Sequence, residues 1–314
     1  MLLHRRPTPW MQLFQPLIAA ALICAAIVPI YWPVGGQLLV HAKHHPYRRP
    51  YTFPAGGRTL VPGYRLVALY GVPDSPVLGA LGDQPLDATI ARVKSLAAEY
   101  QPLMREHALP TLEIITTVAS AYPEPDDSYS RPIDTATLQT WVTTARQSGV
   151  YVVLDLQPGR DDFLSQAKQY RPLLAQPNVG LALDPEWRLK PAEVPLEQIG
   201  TVSIGEVNST VQWLADLVRR NHLPQKLLLL HEFRLSMLPD RTQLDTSHPE
   251  LAYVIQMDGQ GPQPTKMDTW QAVTADPPAN VSFGWKNFYQ KDSPVRTPAE
   301  TMQLTPQPRY VSYQ

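Results

Sequence analysis

Two apolar runs, each closing on carboxylates, bracket a helix-patterned segment between Tyr151 and Trp187. The first is Tyr-Val-Val-Leu-Asp-Leu-Gln-Pro-Gly (151–159) and the second Asn-Val-Gly-Leu-Ala-Leu-Asp-Pro-Glu-Trp (178–187), with the stretch from Asp161 to Gln176 between them. Leucine-rich and β-branched runs on either side of a helix, within about 40 residues, are the pattern of a parallel βαβ unit. Such a unit narrows the fold sharply, because parallel strands need a crossover and bury both faces of their sheet. It also sets Asp155, Asp184 and Glu186 at the C-terminal ends of strands, the edge where α/β sheets hold ligands.

The pattern recurs along the chain. Strands are expected at 64–71, 111–119, 151–157, 179–184, 201–207, 226–231, 251–258 and 281–286. Helical stripes fall between several of them: Ile90, Val93, Ala97 and Tyr100 after Asp87; Leu138, Trp141, Val142 and Ala145 after Asp134; Val211, Leu214, Leu217 and Val218 after Asn208. Asp87, Asp134 and Asn208 are residue types that cap helix N-termini. Eight strands alternating with helices predict an α/β fold of the (β/α)8 TIM barrel type, with a doubly wound open sheet as the competitor. Parity within the strands agrees. Gly180, Ala182 and Asp184 form a small-then-acidic face against bulky Val179, Leu181 and Leu183, and Ser282, Gly284 and Lys286 repeat the scheme.

Ahead of the barrel, His4, Arg5 and Arg6 precede an apolar run from Leu13 to Trp32, long enough to cross a bilayer. The expected organisation is a short cytoplasmic N-terminus (1–12), a transmembrane signal anchor (13–32), a Pro-rich linker (33–62), the barrel (63–290), and a short helix with a tail (291–314). Thr297-Pro298-Ala299-Glu300 has the form of a capping box. The barrel is expected outside the cytoplasm, on a single-pass membrane anchor. His41, His44 and His45 are read as linker composition rather than a metal set.

Composition removes several function classes. A net charge of −1, without a repeated basic face, argues against nucleic acid as a partner. Cys24 is the one cysteine, so no intrachain disulfide can form. There is no Gly-rich phosphate loop, nucleophile elbow or Cys-x-x-Cys pair, and no cofactor or metal is expected.

The polar groups converge on the mouth of the expected barrel. By parity Asp155, Gln157, Asp184, Gln256, Asp258 and Lys286 point inward, and Glu186 continues that face unless Pro185 turns the chain. Tyr70 closes the first strand; His231 and Glu232 close the sixth. Glu206 has the outward parity of Val202 and Ile204 and needs a bulge to reach the mouth. The candidate catalytic residues are therefore Glu186, Asp184, Asp155, Glu206, Glu232 and Asp258; the candidate substrate-binding residues are Tyr70, Gln157, Trp187, His231, Gln256 and Lys286. Carboxylates brought close together do not all ionise, so one can remain an acid at neutral pH. Each acid also has a local reading: Asp155 bonding loop amides, Glu232 paired with Arg234, Asp258 forming a turn with Gly259.

Asp184-Pro185-Glu186 resembles the Asp-x-Glu that ends the fourth strand of chitinase-like glycoside hydrolases, and the Asp-x-Glu of lysozyme-like barrel muramidases. The resemblance implies Glu186 as general acid and Asp184 as the neighbour that sets its acidity. The longer chitinase signature, with aspartates two and five residues earlier, is absent; Ala182 and Val179 stand there. The expected function is a membrane-anchored glycoside hydrolase-like enzyme acting on an extracellular or cell-envelope polysaccharide. The alternatives are a catalytically silent carbohydrate-binding or scaffolding barrel, and a metal-dependent phosphodiesterase built on Asp155, Asp184, Glu186 and His231.

Overall fold

Eight parallel strands close on one another in the computed structural model, which describes residues 51–314. In chain order the elements are β1 (Tyr64–Gly71), α1 (Leu86–Tyr100), β2 (His107–Ala119), β3 (Ser130–Pro132), α2 (Thr135–Gln147), β4 (Tyr151–Leu156), α3 (Phe163–Gln169), α4 (Arg171–Leu174) and β5 (Val179–Leu183). They continue with α5 (Ile204–Arg220), β6 (Lys226–Glu232), β7 (Leu251–Met257), α6 (Gln263–Thr274), β8 (Val281–Asn287), α7 (Pro298–Thr301) and β9 (Tyr310–Tyr313). The strand order is β1-β9-β8-β7-β6-β5-β4-β2, and β1 pairs with β2 to complete the ring. Short β3 folds back antiparallel onto the end of β2. This is the expected eight-stranded α/β barrel, with one strand exchanged for another.

The exchanged strand is instructive. Residues 201–207, with β-branched residues at alternate positions, are not a strand; the segment runs into α5. Ser203 caps that helix, its hydroxyl accepting from the Glu206 N–H at 3.2 Å. The Ser-x-x-Glu spacing was the better signal, since a side chain that satisfies an orphan N–H commits the backbone to a helix. The place in the ring is taken by β9, inside the segment expected to be a tail, so the barrel runs past residue 290 to Tyr313. The capping box at Thr297 and Glu300 is present on α7.

Local chemistry sets the other helices. Asp134 caps α2 by accepting from Thr137 N–H at 2.9 Å, as expected. Asp87 lies within the first turn of α1, and Pro85 occupies the cap. The helix expected from Asp161 to Gln176 is capped by Asp162 and broken into α3 and α4 around Tyr170, where Pro172 supplies no N–H to continue the ladder. Two 3-10 turns, Leu235–Met237 and Arg241–Gln243, stand in place of a helix between β6 and β7.

Parity divides the core in two. Outward residues such as Leu154, Leu181, Leu228 and Ile255 pack with the helices. Inward residues Leu66, Ala68, Val153, Ala182, Leu229 and Val254 fill the lower barrel. Phe53 and Leu60 join this inner cluster, both buried, with the Phe53 ring 5.4 Å from Tyr64 and 6.1 Å from Tyr151. Residues 51–62, expected to belong to an extended tether, instead plug the N-terminal end of the cylinder. An open apolar barrel floor would expose these rings to water. Phe53→Ala is expected to destabilise the barrel by about 3–5 kcal/mol, measured by urea denaturation.

The expected transmembrane segment at 13–32, residues 1–12, Cys24, His41, His44, His45 and the linker through residue 50 lie outside the described residues. Among the described residues no helix is long and apolar enough to cross a membrane.

Candidate active site

Above the apolar floor the inward positions turn polar. Tyr70 comes from β1, Glu113 from β2, Asp155 from β4, His231 from β6, Gln256 from β7, Lys286 from β8 and Ser312 from β9, and all are buried. Polar groups removed from water must pair with one another. Most of them do so around His231, while Asp155 Oδ1 and Gln256 Oε1 have no hydrogen-bond partner.

The His231 ring lies between two carboxylates. Its Nδ1 is 2.7 Å from Asp258 Oδ2, and its Nε2 is 2.8 Å from Glu113 Oε1. The other Glu113 oxygen accepts from the Tyr310 hydroxyl at 2.9 Å. Both ring nitrogens face carboxyl oxygens, an arrangement that suits an imidazolium donating from each. Burial opposes that charge, but Asp155 and Glu113 outweigh it and hold the ring well above its usual pKa. Lys286 is the second cation. Its Nζ lies 3.4 Å from Asp258 Oδ2 and 3.4 Å from the centre of the Tyr70 ring, and although burial disfavours its charge, Asp258 raises its pKa.

These two cations sort the carboxyl groups. Asp258 is buried, which favours the neutral form, yet Lys286 and His231 hold it down to about 2. Burial pushes Asp155 up to about 6, with His231 pulling the other way and Glu113 adding repulsion. Its Oδ2 accepts from the Tyr70 hydroxyl at 3.1 Å. Asp184 is driven well above the carboxylate range by burial and by Glu186. Burial, then the Asp258 charge, raises Glu186 to about 7. The site thus holds an ionised Asp258, a protonated Asp184 and a Glu186 poised near neutrality.

A cavity of about 420 Å³ opens over these groups at the C-terminal end of the strands. Glu186, Asp258, Tyr70, Gln157, Trp187 and Lys286 line it. Glu186 reaches it because Pro185 starts a single 3-10 turn, Pro185–Trp187, directly after β5. Asp155, Asp184, His231 and Gln256 sit beneath, fully or almost fully buried. His231 and Gln256, expected to contact substrate, instead support the wall: Gln256 donates to the Ser312 hydroxyl at 2.6 Å.

Two expected site residues lie elsewhere. Glu206 is in the first turn of α5, where it accepts from Phe163 N–H at 3.0 Å and from Arg188 Nε at 3.0 Å. It ties two crossover segments together outside the barrel. Glu232 has outward parity at the end of β6 and pairs with Arg241 at 2.7 Å, rather than with Arg234. Conversely, Glu113, Tyr310 and Ser312 belong to the buried network and were not singled out. Glu113 was detectable as an inward charge between Leu112 and Ile114 in an apolar strand.

No protein-family model matches the sequence, and no curated protein matches it. A comparison with solved structures returns a glycoside hydrolase family 6 enzyme from Coprinopsis cinerea, at a TM-score of 0.30 and 13% identity. The match covers 70% of this chain and 60% of that one, less than two thirds of the fungal enzyme. A likeness of that size carries no argument about chemistry.

The phosphodiesterase alternative needs His231 as a metal ligand. Both of its ring nitrogens are hydrogen-bonded to carboxylates, and among the described residues no group of three or more His, Cys, Asp or Glu side chains is arranged to hold a metal ion.

Proposed function

We propose that the barrel is a glycoside hydrolase-like enzyme acting on an extracellular or cell-envelope polysaccharide, with Glu186 as general acid and Asp258 as its ionised partner. The observation that carries this reading is the divergence of two carboxyl groups on one cavity, with Glu186 near 7 and Asp258 near 2. Glycosidic cleavage needs that division: one carboxylic acid to protonate the leaving oxygen, and one carboxylate to stabilise or capture the positive sugar carbon. In this scheme His231 and Lys286 keep Asp258 charged, Asp184 stays protonated beside Glu186, and Trp187 offers a flat apolar face to a sugar ring. Attachment to the membrane through residues 13–32, with the barrel outside the cytoplasm, belongs to the same proposal.

One observation favours a silent carbohydrate-binding barrel as the second reading. Asp258 is already engaged by both His231 and Lys286, which leaves it less free to act on a sugar. The two separate by experiment. Wild type and Glu186→Gln are assayed on a glycan panel, with binding followed by calorimetry. For the hydrolase, Glu186→Gln loses roughly 10²–10⁴-fold in kcat with binding retained. The wild-type rate falls as pH rises through about 7, where the acid loses its proton. Binding by wild type without turnover on any glycan establishes the silent barrel.

A further inference from the structure

The central cavity is not a closed pit. It shares Val77, Gln260, Phe288 and Gln314 with a cavity of about 160 Å³ that extends past Tyr289 toward Asp83 and Lys291. On the opposite side it shares Glu186, Trp187 and Leu196 with one of about 480 Å³ that extends toward Glu197, Ile199 and Arg234. The first is bordered mostly by the loops after β1, β8 and β9 and the second by those after β5 and β6, on opposite sides of the ring, so the three adjoin across the barrel mouth. Glu186 stands on the wall common to two of them, so the reactive carboxyl groups occupy the middle of the line rather than a blind end.

The chemistry along the line is consistent from end to end. Neutral amides recur at the two ends, with Gln260, Gln290 and Gln314 on one side and Gln198 on the other. The charged groups at the ends are of mixed sign, Asp83 with Arg92 and Lys291 at one and Glu197 with Arg234 at the other, so neither end is a run of a single charge. Large apolar side chains stand in water along the same path: Val77 is 90% exposed, Leu196 77% and Tyr289 41%. Tyr289 is held flat by stacking on Tyr313, with ring centres 5.3 Å apart. Neutral amides interspersed with exposed apolar side chains match a chain of sugar rings, whose edges carry hydroxyls and whose faces carry C–H groups.

We infer that this line of cavities binds an uncharged, linear polysaccharide across the mouth, with sugars seated on both sides of Glu186, so that the chain is cut internally. The inference rests on the hydrolase reading and names its substrate class. Water adds across one glycosidic bond, one fragment receiving the hydroxyl and the other the proton, and no further reactant is needed.

The test uses soluble dextran, xylan, galactomannan and a mixed-linkage β-glucan, with polygalacturonate and alginate as anionic counterparts, and end-labelled oligosaccharides cut from whichever polymer reacts. Viscosity is expected to fall well before reducing ends accumulate, and a neutral polymer is expected to be preferred over the anionic ones. Tyr289→Ala and Leu196→Ser, on opposite sides of the reactive centre, are each expected to lose kcat/KM by tenfold or more on the polymer, with the loss shrinking as the oligosaccharide shortens. Release of single sugars from chain ends, preference for an anionic polymer, or a loss independent of chain length overturns the internal-cleavage inference while leaving hydrolysis intact. Polymer binding that both variants weaken, without turnover in wild type, supports the groove and removes the hydrolase reading. No binding to any polymer overturns the inference.

Discussion

A chain ending at Pro308 is expected not to fold. The last strand, β9, is four residues long, yet it pairs with β8 on one side and β1 on the other, and all four of its residues are buried. Tyr310 points inward to Glu113, while Tyr313 points outward and shares a hydrogen bond of 2.6 Å with Tyr100 of α1. Fully burying a large side chain contributes about 1.5–3 kcal/mol, so the two tyrosines together supply a sizeable share of the about 5–15 kcal/mol by which a whole domain is stable. Truncation also leaves β1 and β8 with open edges, which pair readily with other chains. Scanning calorimetry should show no cooperative transition, and size exclusion should show aggregates. A monomeric product with a sharp melting transition would mean that the ring does not depend on its last strand.

His231→Phe is expected to cost about 3–5 kcal/mol at neutral pH, the usual penalty for removing one member of a buried charged set. Phenylalanine is larger than histidine and strains a packed site, so the pH dependence of the loss, rather than its size, reports the charge. The sign follows from the groups involved. In wild type the His231 pKa is raised, so its contribution is present below about 6.5 and fades only as pH climbs through the higher folded value. Asp258 behaves oppositely: held down to about 2, it contributes above about 3.8 and fades as pH falls toward 2. Without the imidazolium, Asp155 and Asp258 both lose a favourable charge and rise, so the variant is least stable when they are forced to ionise. The gap between wild type and variant, measured by urea denaturation across pH 4 to 8, should widen from acid to neutral pH. A gap that stays constant over that range would mean that His231 acts by shape alone.

Much of this arrangement was legible in the residues. The inward parity of Asp155, Gln157, Asp184, Asp258 and Lys286 follows from a side-chain period of two, which is local and needs no knowledge of neighbours. The same rule carried the eight-stranded α/β ring. It failed where two local rules competed: residues 201–207 satisfy the strand alternation and also carry Ser203-x-x-Glu206, and the helix cap won. Once that false strand completed the count, Tyr310-Val-Ser-Tyr had no vacancy to fill and read as a tail. Glu206 and Glu232 were lost for related reasons, the first because its strand does not exist, the second because its parity sends it outward to Arg241.

What the chain determined alone was which face of each strand is polar, because alternation is built into the backbone. What only the folded barrel decided was which of those polar groups meet. His231 joins Glu113, 118 positions earlier, to Asp258, and the resulting charges set Glu186 apart from Asp258 in acidity. Proton affinities depend on distances through space and on exclusion of water, and neither exists until the ring has closed.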